Sequence, residues 1–493
     1  MSVVAVDVGT TGVRVSVFDD ALTETHSKAL PCPPHAPAPG WAEADPELWW
    51  DRATEMLRAL ADEGALADVR AVAVTGQAPT LVLVGDDHAV LCPAILWLDT
   101  RAELEATELG VPTYYLGPKL LWTFRHRHAA LARAKWVLQS HAFVALRLTG
   151  EAAIDPSTAA LCLPLFDLAS LQWTVQGAAA AHVDPRKLPR VRAAHEIIGH
   201  VTADAAARTG LAAGTPVVGG GGDFAASTLG AGVTKPGQAC LMLGTAGNLL
   251  LPRAQAGTDD RLIHAHHVGA GTFLSLGGTL CGGAIEWARR ALAEVGGAPI
   301  DFATLEREAA DAPLGAASLL FVPYLAGERT PVWDADARGA FVGLGLEHDR
   351  RHMLRAVLEG IALSLLDCAD AATADGAAAL TEVIAANGAG KSALFRQILC
   401  DALGVPLFYA PDAGGTLSGT AALAALGAGI VADVDAIDAM HQGRSRTRVR
   451  HEPDMHHHGV YRHLLEVRRG AYEGLRRTFT SLAARRVASS PTS

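Results

Sequence analysis

The sequence predicts an α/β protein of two similar halves, and three observations carry that prediction. Short β-branched runs that read as strands alternate with segments of helical character along most of the chain, as in the α/β class. At 493 residues the chain is too long for one compact core, so two or three domains are expected. The turn Gly9-Thr10-Thr11-Gly12 is echoed by Gly244-Thr245-Ala246-Gly247, and each follows a strand-like run. This weak internal repeat marks two similar turns opening two α/β halves.

The elements follow in order. Val3 to Val6 is a buried strand, Val13 to Phe18 alternates, and the Gly/Thr turn between them completes a hairpin. Pro31 to Gly40 is Pro-rich and reads as a loop. Pro46 to Leu60 reads as a helix, with Asp45 as its N-cap and proline at its first position. Val69 to Val74 is a second buried strand, running to Thr75-Gly76-Gln77, and Ala129 to Leu148 is expected to be largely helical. Val217-Val218 leads into Gly219-Gly220-Gly221-Gly222-Asp223. A second block begins near Pro236, with strands at Ala239–Leu243 and Leu249–Leu251 and a helix from about Gly283 to Ala293. Further helices are expected at Met353–Ala371 and Ser392–Leu403, with a charged helical segment after Arg444. We divide the chain into 1–232, 233–480 and a disordered tail, 481–493.

Composition narrows the class of function. The formal net charge of −11 lacks the basic stripe of a nucleic-acid binder. Apolar runs are broken by charges before they reach membrane-spanning length. Seven scattered cysteines show no CxxC spacing, so neither a zinc site nor a disulfide framework is expected. With no secretory n-region ahead of the first strand, a cytoplasmic protein is expected.

Several motifs carry chemistry. In Asp7-x-Gly9-Thr10-Thr11-Gly12-x-Arg14 the glycines let backbone N–H groups approach an anion, and the threonine hydroxyls add donors. Arg14 adds positive charge, and Asp7 is suited to hold Mg²⁺ through water. Short Gly/Thr turns are also common in plain hairpins. Four consecutive glycines before Asp223 suit a place where another molecule touches the main chain, and the carboxylate after them suits a general base. Asn387-Gly388-Ala389-Gly390-Lys391-Ser392 imitates a P-loop but fails, because Ala385 stands where that motif needs glycine. It remains a Gly-rich turn opening a helix, a nucleotide contact by type. Adjacent histidines 456–458 point in different directions and read as a solvated surface. His264, His266 and His267 read as satisfied strand imidazoles, and the tryptophans as packing residues.

The order of these pieces resembles the FGGY carbohydrate kinase family over nearly the whole length. The matching stretches include VDVGTTGVR (6–14), GWAEADPELWW (40–50), AILWLDTR (94–101), LTGEAAIDPSTA (148–159), GGGDFAAS (220–227), LGTAGN (243–248) and GERTPVWDADARGAFVGL (327–344). Within the family the pattern is most similar to the xylulokinase branch. The resemblance implies two ribonuclease H-like (actin/Hsp70-like ATPase) domains with ATP and substrate in the cleft between them. It implies phosphate contacts from Thr10, Thr11, Arg14, Gly244 and Thr245, and nucleoside contacts near Gly282, Glu286, Gly388 and Ser392. It makes Asp223 the catalytic base, with Asp7 and Asp223 as the metal-associated carboxylates, and ATP and Mg²⁺ as cofactors. A small sugar or polyol is the expected substrate, and family analogy allows a homodimer.

Departures concentrate in the substrate pocket around Gln77, Ala78, Pro79 and Phe224. The xylulokinase pattern has Met-His after Gln77 and Asn after the catalytic Asp; here Ala78-Pro79 and Phe224 stand there. The pattern also places Asp near the position of His141, and glycine where Asn387 stands. Losing a hydrogen-bonding group can change discrimination by orders of magnitude, so an altered substrate is expected. The alternative is a nucleotide-binding protein on the same fold without sugar kinase activity.

Overall fold

The computed structural model describes residues 1–269, 272–386, 388–409, 415–444 and 449–489. Asn387 therefore lies outside the described residues.

The first half is built on a six-stranded sheet. Its strands are β1 (Ser2–Val8), β2 (Gly12–Asp19), β3 (Glu24–Pro31), β4 (Val69–Gly76), β5 (Ile197–His200) and β6 (Pro216–Gly222), in the order β5-β6-β4-β1-β2-β3. β1, β4 and β6 run parallel; β2, β3 and β5 are antiparallel to their neighbours. The second half repeats the scheme with β7 (Gln238–Leu243), β8 (Ala246–Arg253), β9 (Ile263–His266), β10 (Phe273–Leu280), β11 (Glu382–Ala386), β12 (Leu407–Tyr409) and β13 (Val449–His451). Here the order is β9-β10-β8-β7-β11-β12-β13, with β7, β11 and β12 parallel. Each half thus opens with an antiparallel hairpin whose first strand starts a parallel set.

The central strands β1, β4 and β6 are buried on both faces, which explains their unbroken apolar runs, while the edge strands β3 and β5 are largely exposed. Alternate residues go to different cores: Val4, Val6 and Val8 pack outward with Trp49, Trp50 and Leu57 of helix α1 (Pro46–Asp62). Val3 and Ala5 pack into a central core shared with Cys240, Leu250 and Ile384 of the second sheet. The outer face of the second sheet is covered by helix α5 (Arg350–Ala374) and helix α6 (Ala393–Leu403). As expected, Asp45 caps α1, accepting from the Glu47 N–H at 3.0 Å.

Helix α7 (Thr416–Gly427), late in the chain, packs back on β1, β4 and helix α3 (Asp223–Gly230) of the first half. Thr420 Oγ1 lies 2.8 Å from Thr75 Oγ1, and Thr416 Oγ1 lies 3.0 Å from Ser227 Oγ. A Cβ at Gly419 would stand 1.8 Å from the Ala226 carbonyl oxygen, so only glycine allows this approach.

Three expectations need correction. Residues 129–148 are not one helical run: strand Trp136–Leu138 pairs with Val82–Val84 and separates helix His128–Arg133 from helix α2 (Ser140–Thr149). The four glycines lie inside β6 and do not form an exposed ligand loop. Gly219 and Gly220 bulge opposite the single residue Val74, Gly220 takes φ +69°, and a Cβ there would meet the Val74 oxygen at 1.7 Å. Lastly, the segment set aside as a tail from 481 starts inside helix α8 (Met455–Ser489), while 490–493 lie outside the described residues.

Candidate active site

Strand register brings the first group of site residues together. Val8, Gly76 and Gly222 end the parallel strands β1, β4 and β6 side by side. Gly9, Gln77 and Asp223 therefore leave the sheet at one edge, the carboxyl ends where open α/β sheets bind ligands. Asp7 is paired across the hairpin with Arg14, whose Nη2 donates to Asp7 Oδ2 at 2.5 Å. Asp7 is 3% exposed and its Oδ1 has no hydrogen-bond partner. Burial raises the Asp7 carboxyl above its usual value, with Arg14 opposing.

Asp223 begins helix α3 and keeps part of its surface open. Its Oδ1 accepts from the Phe224 N–H at 2.7 Å. Burial, joined by the negative charge of Asp7, pushes its carboxyl up to about 7, against the Phe224 N–H and Arg14. Two carboxyls held above their usual range by burial, Asp223 also by the charge of Asp7, with one buried Asp7 oxygen unpartnered, fit a divalent cation. No cluster of three or more acidic, His or Cys ligands exists among the described residues. A metal here would rely on these carboxylates and on phosphate oxygens, the usual manner of Mg²⁺.

The first turn is closed by the Gly9 N–H on the Gly12 carbonyl, 2.9 Å, and Thr11 is exposed. Thr10 Oγ1 accepts from Trp97 Nε1 at 3.1 Å. Gln77 is buried; its Nε2 reaches the Gly9 carbonyl at 3.4 Å while Oε1 is unpartnered. Ala78 and Pro79 offer no side-chain donor, but the Ala78 carbonyl accepts from the Tyr114 hydroxyl at 3.4 Å. Phe224 is 6% exposed, its ring lying over Gly222 within the central core.

The second group gathers at the matching edge of the second sheet. Gly244 and Thr245 follow β7, and their carbonyls accept from Gly282, Cys281 and Gly283 at 2.9–3.0 Å. Helix α4 (Gly282–Ala291) is thereby stitched to the turn, and a Cβ at Gly282 would lie 2.6 Å from the Gly244 oxygen. Glu286, one turn along, pairs with Arg289 at 2.6 Å. Gly388 opens a 3₁₀ turn beside Leu243. Ser392 caps α6, its Oγ accepting from Phe395 N–H at 3.1 Å and donating to Glu306 at 3.0 Å.

Three residues escaped the sequence reading as site members: Trp97, Tyr114 and Arg329. Burial pushes the Tyr114 phenol up to about 12, and it senses both Arg329 and Asp223. Lys119, fully buried, donates to the carbonyls of Thr113, Tyr114 and Tyr115 at 2.6, 2.9 and 3.4 Å and holds that turn. The motif pieces containing Trp97 and Arg329 were visible, but nothing in the sequence places residues 97, 114 and 329 together.

The histidines resolve simply. His264 bonds Ser275 and the Asp259 carbonyl, and His267 bonds the Val233 carbonyl. Within 456–458, His457 pairs with Asp401 at 2.9 Å and His458 donates to the Asp401 carbonyl.

The two sheet-bearing domains have the actin/Hsp70/ribonuclease H-like fold, and each ends the first of its parallel strands in a Gly-Thr turn suited to a phosphate group. The chain matches the N-terminal domain of the FGGY family of carbohydrate kinases over residues 2–230 and the C-terminal domain over 240–428. It belongs to that family and is an ATP-dependent carbohydrate kinase. It is 32% identical over 422 residues to a xylulose kinase of Escherichia coli, covering 82% of this chain and 86% of the relative. It is also 32% identical over 484 residues to a glycerol kinase of Myxococcus xanthus, covering 92% and 96%. The crystal structure of xylulose kinase from Rhodospirillum rubrum superposes with a TM-score of 0.87 at 32% identity, covering 97% of this chain and all of that one. No helix among the described residues is long and apolar enough to cross a membrane.

Proposed function

We propose that the protein transfers the γ-phosphoryl group of ATP to a hydroxyl of a small sugar or polyol, with Asp223 as general base. The observation that carries this is the Asp223 carboxyl, raised to about 7 at the strand-end edge beside Asp7 and the Gly9–Gly12 turn. A base poised near neutrality suits proton removal from a hydroxyl. Thr10, Thr11 and Arg14 would hold phosphate oxygens from one side, Gly244 and Thr245 from the other. Gly282, Glu286, Gly388 and Ser392 border the expected nucleoside position. Ser392 already uses its hydroxyl for capping, so its contribution is to fix the turn. Asp7, with Asp223 beside it, is the carboxylate that would hold Mg²⁺, which neutralises phosphate charge when bound.

Gln77, the Ala78 carbonyl and Tyr114 supply the polar contacts of the acceptor pocket. With Ala78, Pro79 and Phe224 in place of Met, His and Asn, the acceptor preference differs from that of the xylulose kinases it resembles. The seven cysteines are all free, which agrees with a cytoplasmic enzyme.

The test is ADP release with ATP and Mg²⁺ across ketoses, aldoses and polyols, comparing wild type with Asp223→Asn. Loss of a general base is expected to lower kcat about 1,000-fold on the best acceptor. Full turnover by the variant would remove Asp223 from the mechanism.

A further inference from the structure

Arg329 is a cation held in place by its neighbours, and its charge is felt by the buried Glu328 carboxyl beside it and by Tyr114. Glu328 before it accepts from Thr279 Oγ1 at 2.5 Å, and its N–H donates to the Asp334 carbonyl at 2.9 Å. Thr330 after it exchanges hydrogen bonds with Gly278, accepting at 2.6 Å and donating at 3.1 Å. The main chain at 328–330 is thereby fixed to β10 of the second domain. The Arg329 side chain reaches across to the first domain, its guanidinium 5.3 Å from the ring centres of both Trp97 and Tyr114. Aromatic faces attract a guanidinium but leave its N–H groups without acceptors in the ring plane. Arg329 makes no ion pair and no side-chain hydrogen bond among the described residues.

The two rings locate that charge. Trp97 donates to Thr10 in the first phosphate turn, and the Tyr114 hydroxyl donates to the Ala78 carbonyl, next to Gln77, at 3.4 Å. The guanidinium thus stands over two rings, one tied to the turn expected to grip phosphate and the other to the pocket expected to hold the acceptor. A guanidinium whose N–H groups have no acceptor among the described residues suits an anion with several oxygens there, and phosphoryl oxygens match its planar fork.

We propose that Arg329 is a catalytic residue supplied by the second domain, meeting the anionic oxygens of the phosphoryl group in transfer. The proposal rests on the kinase reading above. In the step it serves, the acceptor hydroxyl gives its proton to the Asp223 carboxylate and its oxygen bonds the γ-phosphorus. The bond from that phosphorus to the bridging oxygen of ADP breaks, and ADP leaves with the electron pair. Arg329 stabilises charge on the three oxygens that neither attack nor leave. Because it belongs to the opposite domain from Asp223, it couples domain closure to the reaction.

The experiment compares wild type, Arg329→Gln and Arg329→Lys, with thermal melting to confirm that all three fold. Arg329→Gln is expected to lower kcat about 100-fold with the best acceptor, as for loss of one preorganised donor. The acceptor KM and the Kd of ADP alone are expected to stay within about threefold, since the interaction is absent from the ground state. Arg329→Lys restores part of kcat through its charge. Orthovanadate with ADP, a mimic of the group in transfer, is measured by calorimetry without any acceptor; it is expected to bind wild type and not Arg329→Gln. Unchanged kcat, or a loss wholly in the acceptor KM, overturns the proposal. If no acceptor supports turnover by wild type, the kinase reading fails, and the vanadate arm still decides Arg329: equal binding by wild type and the Gln variant overturns it.

Discussion

The two Gly-Thr turns occupy equivalent places in their sheets, yet their surroundings differ. The first lies between β1 and β2, with the Asp7–Arg14 pair beneath it, Trp97 on Thr10 and Asp223 at the end of β6, one strand beyond β4. The second lies between β7 and β8 and has no acid in the hairpin. Its carbonyls are occupied by the first N–H groups of α4, which fix the turn's shape. One backbone device therefore serves two ends: beside charged groups in the first domain, and as a rigid cradle in the second. If the two turns serve as proposed, the difference predicts that chemistry and nucleotide grip are separable by substitution.

The largest expected effect comes from the charged turn. Asp7→Asn should lower kcat about 100-fold while leaving ADP affinity nearly unchanged, because the lost charge acts during transfer. A matching loss of ADP affinity, by calorimetry, would break the division. Gly419→Ala touches neither turn but drives a methyl group into the Ala226 carbonyl. It should destabilise the protein by about 3 kcal/mol in thermal or urea unfolding, the cost of overpacking a closed contact. At the second turn, Gly282→Ala forces the Gly244 carbonyl aside and should raise the Kd of ADP about tenfold with acceptor KM unchanged.

The smallest effects are those of pH. Asp223 must be ionised to accept a proton, so kcat/KM should rise with pH through about 7. Asp7→Asn removes a charge that raises Asp223, and should move this limb to lower pH in the residual activity. The same shift acts on stability. A carboxyl raised in the folded state contributes stability fully present below its unfolded pKa and lost as pH rises through about 7. Asp223→Asn should therefore melt higher than wild type at pH 8, by about 1 kcal/mol given the partly open carboxylate, with the gain fading in acid.

Much of this was legible because it is local. The hairpin around Gly9–Gly12, the Asp45 cap and the strands ending at Gln77 and Leu243 follow from short-range pattern. Asp223 was legible as a candidate base from its place after a buried strand, and the structure puts it at the strand-end edge. Motif order gave the family and with it the cleft. The glycine run misled, because a bulge against Val74 and a ligand loop both need residues without Cβ atoms. The segment 129–148 misled because Trp136–Leu138 is a strand only through its partner Val82–Val84, more than 50 residues earlier. Arg329, Trp97 and Tyr114 were out of reach for the same reason: their meeting depends on two domains already docked.

Helix α7 has a consequence for how the chain is made. It is joined to the first sheet through Thr420 and Gly427 and to α3 through Gly419, yet nearly 200 residues separate it from the end of α3. Domains usually fold as units as they leave the ribosome. Here one face of the first domain waits uncovered, Val3, Ala5, Ala71 and Ala73 included, until most of the polypeptide has been synthesised. So distant a pairing slows folding through the entropy of closing the intervening chain. Translation of the second half, and protection of that apolar face meanwhile, set when the first can be completed.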